Sequence, residues 1–211
     1  MLVYGTIYAN LTIRGVTMKL SYGVGYNSGG EYKSTVNNKV TKAHVAWLSM
    51  MRRCYDSNFH KDNHTYKDCA ACPDWNDFQL FAKWFYNHPY SDLGYDLDKD
   101  LLVVGNKLYS PETCCFVPHE LNQLLVDSGK SRGKYPIGVS WQKQISKYRA
   151  YVTIENKQKH LGTFHCPKEA HQAYVVAKEA HVKVKANQWR DRIAPEVFDA
   201  LMAWTVASTV R

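Results

Sequence analysis

Residues 95–125, YDLDKDLLVVGNKLYSPETCCFVPHELNQLL, decide the fold that we predict for this chain. The stretch opens on an acidic strand, turns at Gly105 and Asn106, and continues through a second short strand into a helical run. That run carries His119 and Asn122. Because carboxylate oxygens, amide oxygens and imidazole are ligands of divalent cations, this strand–strand–helix order predicts a site for one cation, Mg²⁺ or Mn²⁺. The carboxylates on the strand belong to Asp96, Asp98 and Asp100.

Two helices are predicted on the N-terminal side of this stretch. Apolar residues recur at three- and four-residue spacing in residues 41–55, which predicts an amphipathic helix with Thr41 as its N-cap. Residues 75–86 carry an aromatic stripe that predicts a second helix facing the core, with Asp74 as its cap. Residues 1–40 are rich in Gly, Asn, Ser and Tyr, and we expect strand and loop there.

The C-terminal side predicts a separate module. Residues 128–135 are rich in Gly, Lys and Ser, and we expect them to form a linker. Alternating residues in 136–165 predict three strands, and the apolar positions of 167–187 predict a long helix that packs on the sheet. A last helix is predicted in residues 195–208. The chain is therefore expected to be α+β: a ββα unit with flanking helices, then a small three-stranded antiparallel sheet on one long helix.

Positive charge is concentrated in the C-terminal third of the chain. The net charge is +8, yet residues 128–192 alone hold 14 Lys and Arg against 4 Asp and Glu. A focused positive face suits a polyanion, and double-stranded DNA is the partner that we expect. The absence of about 18 consecutive apolar residues excludes a membrane span. The first residues also lack the basic start and apolar core of a secretory signal, so we expect a cytoplasmic protein.

The six cysteines raise the question of a second metal. In a cytoplasmic chain, cysteines are more often metal ligands or buried thiols than disulfides. Cys69 and Cys72 have the two-residue spacing with which one turn offers two thiolates to zinc. Cys54, together with Cys114 or Cys115, would complete a tetrahedral structural Zn²⁺ site. The alternative is that these residues are buried free thiols, which behave as small hydrophobic side chains.

The stretch 45–125 resembles the HNH endonucleases of phages and mobile elements. The resemblance lies in a series of short motifs that follow one another in one order. These are Trp47-x-x-Met50-x-x-Arg53-Cys54-Tyr55, Cys72-x-x-Trp75-x-x-Phe78, Leu97-Asp98-Lys99-Asp100, Gly105-Asn106-Lys107-x-Tyr109-Ser110-Pro111-Glu112-Thr113-Cys114, and Asn122. The resemblance implies an HNH-like nuclease domain over residues 41–127.

The stretch 135–184 resembles the Apetala-type (ethylene-response-factor) DNA-binding domain, which such endonucleases often carry at their C-terminus. The matching motifs are Gly138-Val139, Tyr148-Arg149-Ala150, Leu161-Gly162-x-Phe164 and Glu169-Ala170-x-x-Ala173-Tyr174. This resemblance implies a DNA-binding domain that, with the last helix, extends over residues 136–211.

In HNH enzymes a strand histidine is the general base, and residues of the strand and helix hold one cation that stabilises the scissile phosphate. By resemblance, Asp98 stands near the position of the base, and Asn122 stands at the position of the helix ligand. Thr113 stands where a middle asparagine usually orients the loop. Asp96 and Asp100 would add carboxylates to the metal site.

The chain departs from this pattern because its acidic strand carries no histidine. An aspartate with an ordinary pKa of about 3.9 is a weak base unless burial raises that pKa. His119 on the helical run, or His60 or His64 in the loop between the first two helices, would supply an imidazole instead.

Alternation on the middle strand of the C-terminal sheet predicts which side chains read DNA. Residues 150, 152 and 154 are expected to face the helix, and the residues between them are expected to face outward. The Apetala-type resemblance implies a sheet in the major groove, with Arg149 bidentate to guanine and lysines on phosphates. The residues expected to contact DNA are Trp141, Lys143, Lys147, Arg149, Tyr151, Thr153, Lys157 and Lys159.

Three functions are compatible with these patterns. The first is a metal-dependent endonuclease that hydrolyses phosphodiester bonds in double-stranded DNA. The second is a catalytically inactive DNA-binding regulator derived from such a nuclease, which the missing strand histidine favours. The third is a phage antagonist of a host defence protein that uses the basic surface.

Overall fold

The structure, a computed structural model, describes residues 10–13, 16–126 and 134–209. It is mixed helix and strand, so the predicted α+β class is confirmed. The chain divides into two compact units, Met1–Phe116 and Val117–Arg211, and each is described by itself. This division falls before the last helix of the predicted nuclease domain, whereas the sequence placed a boundary in the 128–135 linker. Most of that linker, residues 128–133, lies outside the described residues.

The first unit consists of three main helices and several short two-stranded sheets. Its helices are α1 (Lys42–Tyr55), α2 (Ser57–Asp62) and α3 (Phe78–Asn87). Its strands are β1 (Asn10–Ile13), β2 (Val16–Lys19), β3 (Thr35–Val36), β4 (Lys39–Val40), β5 (Ala70–Ala71), β6 (Asp96–Asp98), β7 (Leu108–Tyr109) and β8 (Cys115–Val117), the last of which runs across the division.

Helix α1 begins where the sequence predicts. The Thr41 side chain accepts a hydrogen bond from the His44 backbone N–H at 3.4 Å, which satisfies one of the unpaired donors of the first turn. The apolar stripe of α1 is buried against α3. Within this core the indole Nε1 of Trp47 donates to the Trp75 carbonyl at 2.8 Å. The indole therefore fills the core without leaving a buried donor unpaired.

The cap of the second predicted helix is Asp77, so the prediction of Asp74 is wrong. Residues Pro73–Asn76 form a separate 3₁₀ turn, which displaces the start of α3 by one turn. The Asp77 carboxylate accepts from the backbone N–H groups of Gln79 and Ser28, each at 3.1 Å. Asp77 thereby caps α3 and also fixes the preceding N-terminal loop to it.

Strand pairing around the acidic strand differs from the hairpin that the sequence predicts. β6 pairs with β8, and not with the short strand that follows the Gly105-Asn106 turn. That short strand, β7, pairs in parallel with β5, so that Ala70 lies opposite Leu108. The Gly105-Asn106 turn is real, because Gly105 has a φ of +76°. The segment from the turn through β7 therefore returns towards the loop that precedes α3.

The second unit contains the predicted three-stranded antiparallel sheet on a long helix. Helix α4 (His119–Leu125) precedes strands β9 (Val139–Gln142), β10 (Lys147–Ile154) and β11 (Lys157–Phe164), and helices α5 (Pro167–Trp189) and α6 (Pro195–Ala203) follow. The strand order is β11-β10-β9, with β10 in the centre. Ala150 and Val152 of β10 and Ala170 and Tyr174 of α5 are buried. The small alanine side chains permit the helix to lie close to the sheet.

Close approach between sheet and helix is visible at Gly138, just before β9. A Cβ atom at this position would lie 2.2 Å from Cδ2 of Tyr174, and the φ of Gly138 is +78°. Only glycine satisfies both the backbone conformation and the contact with the tyrosine ring. Across the described ranges, no helix has the length and apolar character that a membrane crossing requires.

Candidate functional site

Asp98 and Asp100 stand together at the C-terminal end of β6. Oδ1 of Asp98 accepts from the backbone N–H of Asp100 at 2.9 Å and from that of Leu101 at 2.7 Å. Burial raises the pKa of the Asp98 carboxyl, and the neighbouring Asp100 carboxyl raises it further through its charge and a side-chain hydrogen bond. The two backbone donors act in the opposite direction. The raised pKa makes Asp98 a better proton acceptor than an exposed aspartate.

Lys99 forms an ion pair with Asp100. Its Nζ donates to Oδ2 of Asp100 at 3.0 Å and to the Asn106 carbonyl at 2.9 Å. Lys99 and Asp100 are only 3% and 5% exposed, so the ion pair lies in a dry environment. Nζ also lies about 6 Å from the centroids of the Tyr66 and Tyr109 rings, at 6.0 and 5.9 Å.

Two polar side chains fix the loop between β6 and β8. Nδ2 of Asn106 donates to the carbonyls of Lys99 and Leu108, each at 2.6 Å. The Thr113 hydroxyl donates to the same Leu108 carbonyl at 2.8 Å and lies 3.1 Å from the Ser110 hydroxyl. Thr113 therefore ties the loop to strand β7.

Asp96, the third aspartate of the strand, lies in a different environment. It lines a cavity of about 310 Å³ together with Arg53, Lys42 and Phe85, whereas Asp98 and Asp100 do not line that cavity. Burial acts to lower the pKa of the half-buried Arg53 guanidinium, but Tyr109, Tyr66 and the charge of Asp96 raise it. Nη1 of Arg53 donates to the Leu97 carbonyl at 3.3 Å. The structure thus brings together two of the three predicted carboxylates.

His119 and Asn122 lie on α4, the helix that the sequence predicts to carry them. His119 is exposed and Asn122 is half-buried. Both belong to the second unit, whereas Asp98 and Asp100 belong to the first. Of the alternative imidazoles, His60 makes a 2.8 Å contact from Nε2 to the Arg53 carbonyl, and His64 is exposed.

The four cysteines of the predicted zinc site are largely withdrawn from solvent. Cys54, Cys69 and Cys114 are buried, whereas Cys72 is half-buried. Burial raises the pKa of Cys54 to about 12 and that of Cys114 to about 12, and the electrostatic influence of Cys69 acts in the same direction on Cys54. The Cys69 thiol lies 3.9 Å from the Thr65 carbonyl as a weak donor. As metal-free side chains, these cysteines are small and largely apolar.

Within the described ranges, no three or more His, Cys, Asp or Glu side chains are arranged to hold a metal ion. Mg²⁺, however, is commonly bound through one or two carboxylates, with water and substrate phosphates as its other ligands. The paired carboxyl groups of Asp98 and Asp100 fit that smaller donor set. They are the residues of the first unit that would hold Mg²⁺ or Mn²⁺.

The strand register places the residues predicted to contact DNA on two different faces of the C-terminal sheet. Residues directly opposite each other on neighbouring strands share a face. Val152 and Ile154, which lie on the helix side, are opposite Lys159 and Lys157. Trp141 lies opposite Tyr148, which belongs to the same side. The residues of β10 that share the outer face are Lys147, Arg149, Tyr151 and Thr153.

A β-bulge explains this separation. Ala150 lies opposite Gly162 but Tyr151 lies opposite His160, so Leu161 is an extra residue in β11. A shift of one residue moves every following side chain to the other face. Lys157 and Lys159 are consequently on the helix side, and Lys143 lies exposed in the turn between β9 and β10. The outer face also holds residues that the sequence did not identify: Ser140, Gln142, Gln158, His160 and Thr163.

Arg149 is the central cation of this outer face. It is half-buried in β10 between Ser140 and Thr163 on the neighbouring strands. Its Nε is buried, and it makes no hydrogen bond to any atom of the residues that the structure describes. Beside Nε, a guanidinium carries further N–H donors in a planar fork that matches planar acceptors. No protein-family model, curated protein or solved structure matches this chain.

Proposed function

We propose that this chain is a metal-dependent DNA endonuclease of the HNH type, which acts in the cytoplasm, or in that of the host if a phage encodes it. It hydrolyses phosphodiester bonds in double-stranded DNA, and its C-terminal module directs it to the duplex. The observation that carries the proposal is the pair of carboxyl groups of Asp98 and Asp100 at the end of β6. The chain order of β6, β8 and α4 supports it, because the strand–strand–helix order is the one that the HNH resemblance implies.

The residues of the proposed site are assigned to binding the cation, accepting a proton or fixing the loop. When bound, a divalent cation supplies positive charge for the scissile phosphate and the leaving 3′ oxygen. Asp98 and Asp100 present the carboxylates that would hold it, and Asn122 stands at the position that the HNH resemblance assigns to the helix ligand. His119, exposed at the start of α4, accepts the proton of the attacking water. Thr113 and Asn106 keep the loop in shape, as their hydrogen bonds to the Leu108 carbonyl indicate.

DNA binding is assigned to the outer face of the C-terminal sheet. Arg149, which lies between Ser140 and Thr163 at the centre of this face, is the residue that we assign to base reading, because a guanidinium binds guanine in a bidentate manner. Lys147 and Lys143 near the β9–β10 turn contact phosphates. Lys157 and Lys159 are exposed at the sheet edge near the β10–β11 turn, where they add positive charge to the approach of the duplex.

The second candidate is a DNA-binding regulator without catalytic activity. One observation favours it: the buried ammonium of Lys99 already neutralises Asp100 at 3.0 Å, which weakens the attraction of this pair for a cation. The absence of a histidine on β6 acts in the same direction. Both candidates require the same DNA-binding face, so catalysis and binding must be measured separately.

A plasmid-cleavage assay with Mg²⁺ or Mn²⁺ separates the two candidates. We expect the native chain to nick or cut, and we expect Asp98→Ala and Asn122→Ala each to abolish cutting while DNA affinity stays nearly intact. Asp92→Ala is the matched control, because Asp92 is an exposed carboxylate of the same unit. A native chain that binds DNA and leaves it uncut with both metals would establish the regulator, and undiminished cutting by both variants would reject the proposed metal site.

A gel-shift titration tests the proposed DNA-binding face. We expect Arg149→Ala to weaken binding and to relax the sequence preference, since a bidentate base contact contributes about 1–3 kcal/mol of discrimination. The control is Lys168→Ala, which removes an exposed cation from the first turn of α5. Affinity should also fall steeply as salt rises, because neutralised phosphates release counterions. If the Arg149 variant and the native chain bind DNA with equal affinity, the DNA-binding face does not include Arg149.

A further inference from the structure

Lys185 of α5 is flanked by carboxylates from two other elements of the second unit. Its Nζ lies 2.6 Å from Oε1 of Glu120 in α4 and 4.0 Å from Oε1 of Glu155 in the turn between β10 and β11. The side chain of Lys185 is 14% exposed, so its ammonium is largely removed from water. The contact with Glu120 is therefore a charge-assisted hydrogen bond of the stronger class.

Helix α4 depends on contacts of this kind. It has seven residues, starts after Pro118 and has no side-chain N-cap. Helices of this length are unstable in isolation, so packing must supply their stability. Leu121 and Leu125 provide buried apolar surface on one face of α4. Glu120 provides the polar connection, in the first turn where the helix dipole favours a carboxylate.

The surroundings of Glu120 favour the charged form of this carboxylate. The hydrogen bond from Lys185 lowers the pKa of Glu120, and the Lys185 charge and a hydrogen bond with Trp189 lower it further. Both partners belong to the last third of α5. The start of α4 is thus fixed to one stretch of the long helix, and α5 in turn carries the three-stranded sheet.

We propose that Lys185 is a positioning residue that fixes α4, and with it His119 and Asn122, to the DNA-binding module. The proposal rests on the proposed function, in which those two residues serve catalysis. Lys185 also lies near Glu155, which directly follows β10, the strand that carries Arg149. The helix that presents the base and the helix ligand is therefore positioned by the same element that supports the DNA-reading sheet. Binding of the sheet to DNA then sets the position of α4 relative to the duplex.

Hydrogen exchange of the α4 backbone amides tests this inference directly. We expect Lys185→Met, which keeps the apolar stem and removes the charge, to speed exchange in residues 121–125 by about fivefold, the effect of losing one such hydrogen bond. Glu120→Gln should give the same increase. Lys185→Arg should stay close to the native rate, because it keeps a cation. Lys183→Met is the matched control, because Lys183 is an exposed lysine of the same helix.

Cleavage kinetics provide the second readout. Lys185→Met should lower kcat about fivefold with little change in KM or DNA affinity, whereas Lys183→Met should leave kcat unchanged. If the hydrogen-exchange rate of the α4 amides is unchanged in the Lys185→Met chain, the inference is wrong, whether or not this variant cleaves DNA. If the native chain has no nuclease activity, the proposed function is wrong, and Lys185 then positions no catalytic residues. This holds even if hydrogen exchange in α4 is faster in the Lys185→Met chain.

Discussion

The ammonium of Lys99 lies 3.0 Å from Oδ2 of Asp100, and both side chains are almost completely buried. Removing one partner of a buried ion pair leaves an uncompensated charge, which typically costs about 3–5 kcal/mol. We therefore expect Lys99→Met to lower the free energy of unfolding of the first unit by that amount. Denaturant unfolding followed by tryptophan fluorescence measures the change, since Trp47 and Trp75 lie in this core.

The control for this prediction is the exposed ion pair between Lys42 and Asp92. Its atoms are 3.3 Å apart, but the side chains are 58% and 73% exposed. Lys42→Met should therefore change stability by less than about 1 kcal/mol. In the double variant of Lys99→Met and Asp100→Asn, part of the loss should be recovered, because no charge is left buried. Equal effects of the Lys99 and Lys42 variants would contradict the dry environment that we assign to Asp100.

The contact between Gly138 and Tyr174 predicts a localised defect in the second unit. Gly138→Ala would place a Cβ 2.2 Å from the tyrosine ring, so the sheet must move away from α5. We expect a loss of about 2–4 kcal/mol in stability, together with weaker DNA binding. Gly23→Ala is the control, because Gly23 has the same φ of +78° with nothing within 4 Å. It isolates the backbone cost, and a similar loss in both variants would show that the ring contact contributes nothing.

The stability of the second unit should decrease in mild acid through His181. Burial lowers the pKa of this imidazole below 6.5, and the charges of Lys178 and Lys185 lower it further. As pH falls through 6.5, the unfolded chain takes up a proton that the folded chain does not, so stability is lost until pH reaches the lowered folded pKa. We expect His181→Gln to lose less thermal stability between pH 7.5 and pH 5 than the native chain, because the variant has no imidazole that titrates differently in the folded and unfolded states.

The control for His181 is His165→Gln, which replaces an exposed histidine of the same unit. Its melting temperature should fall with acid as steeply as that of the native chain. Parallel curves for the native chain and the His181 variant would show that the imidazole titrates alike in both states.

The buried cysteines predict that chelators leave the first unit unaffected. Among the described residues no group of three or more His, Cys, Asp or Glu side chains is arranged to hold a metal, so we expect no zinc clamp to contribute to stability. We expect an unchanged melting temperature in EDTA and about 1 kcal/mol of destabilisation by Cys54→Ala, from the small cavity that it leaves. Cys166→Ala, at a half-buried position, is the control. Stoichiometric zinc in the purified chain, lost together with stability on chelation, would restore the metal site that the sequence predicted.

Local periodicity was sufficient to predict α1, α5 and the three strands of the C-terminal sheet. Thr41 could be identified as a cap because a side-chain cap acts on the backbone only two or three residues away. The choice between Asp74 and Asp77 could not be made in this way, because both precede the aromatic stripe. The structure selects Asp77, since the 3₁₀ turn that contains Asp74 ends before α3 begins.

The faces of the candidate DNA-binding sheet were predictable only as far as the bulge. Arg149, Tyr151 and Thr153 share a face because they alternate on one strand, and the sequence predicted this correctly. Without the extra residue Leu161, Lys159 would lie opposite Thr153 and would share the outer face with these three residues. The composition of β11 does not reveal that insertion, because a bulge is fixed by the pairing with β10 and by the unusual φ of +141° at Gly162.

The parallel pairing of β5 with β7 has a consequence for the order of events during synthesis. Ala71 can form its pairing with Tyr109 only after the whole intervening chain, including α3, has left the ribosome. Pairings between residues so distant in sequence form slowly, because loop closure precedes any gain in contacts. The sheet of the second unit, by contrast, is closed by short turns between neighbouring strands. We therefore expect the nascent first unit to expose its aromatic core longest, and to be the part of the protein that most needs chaperones.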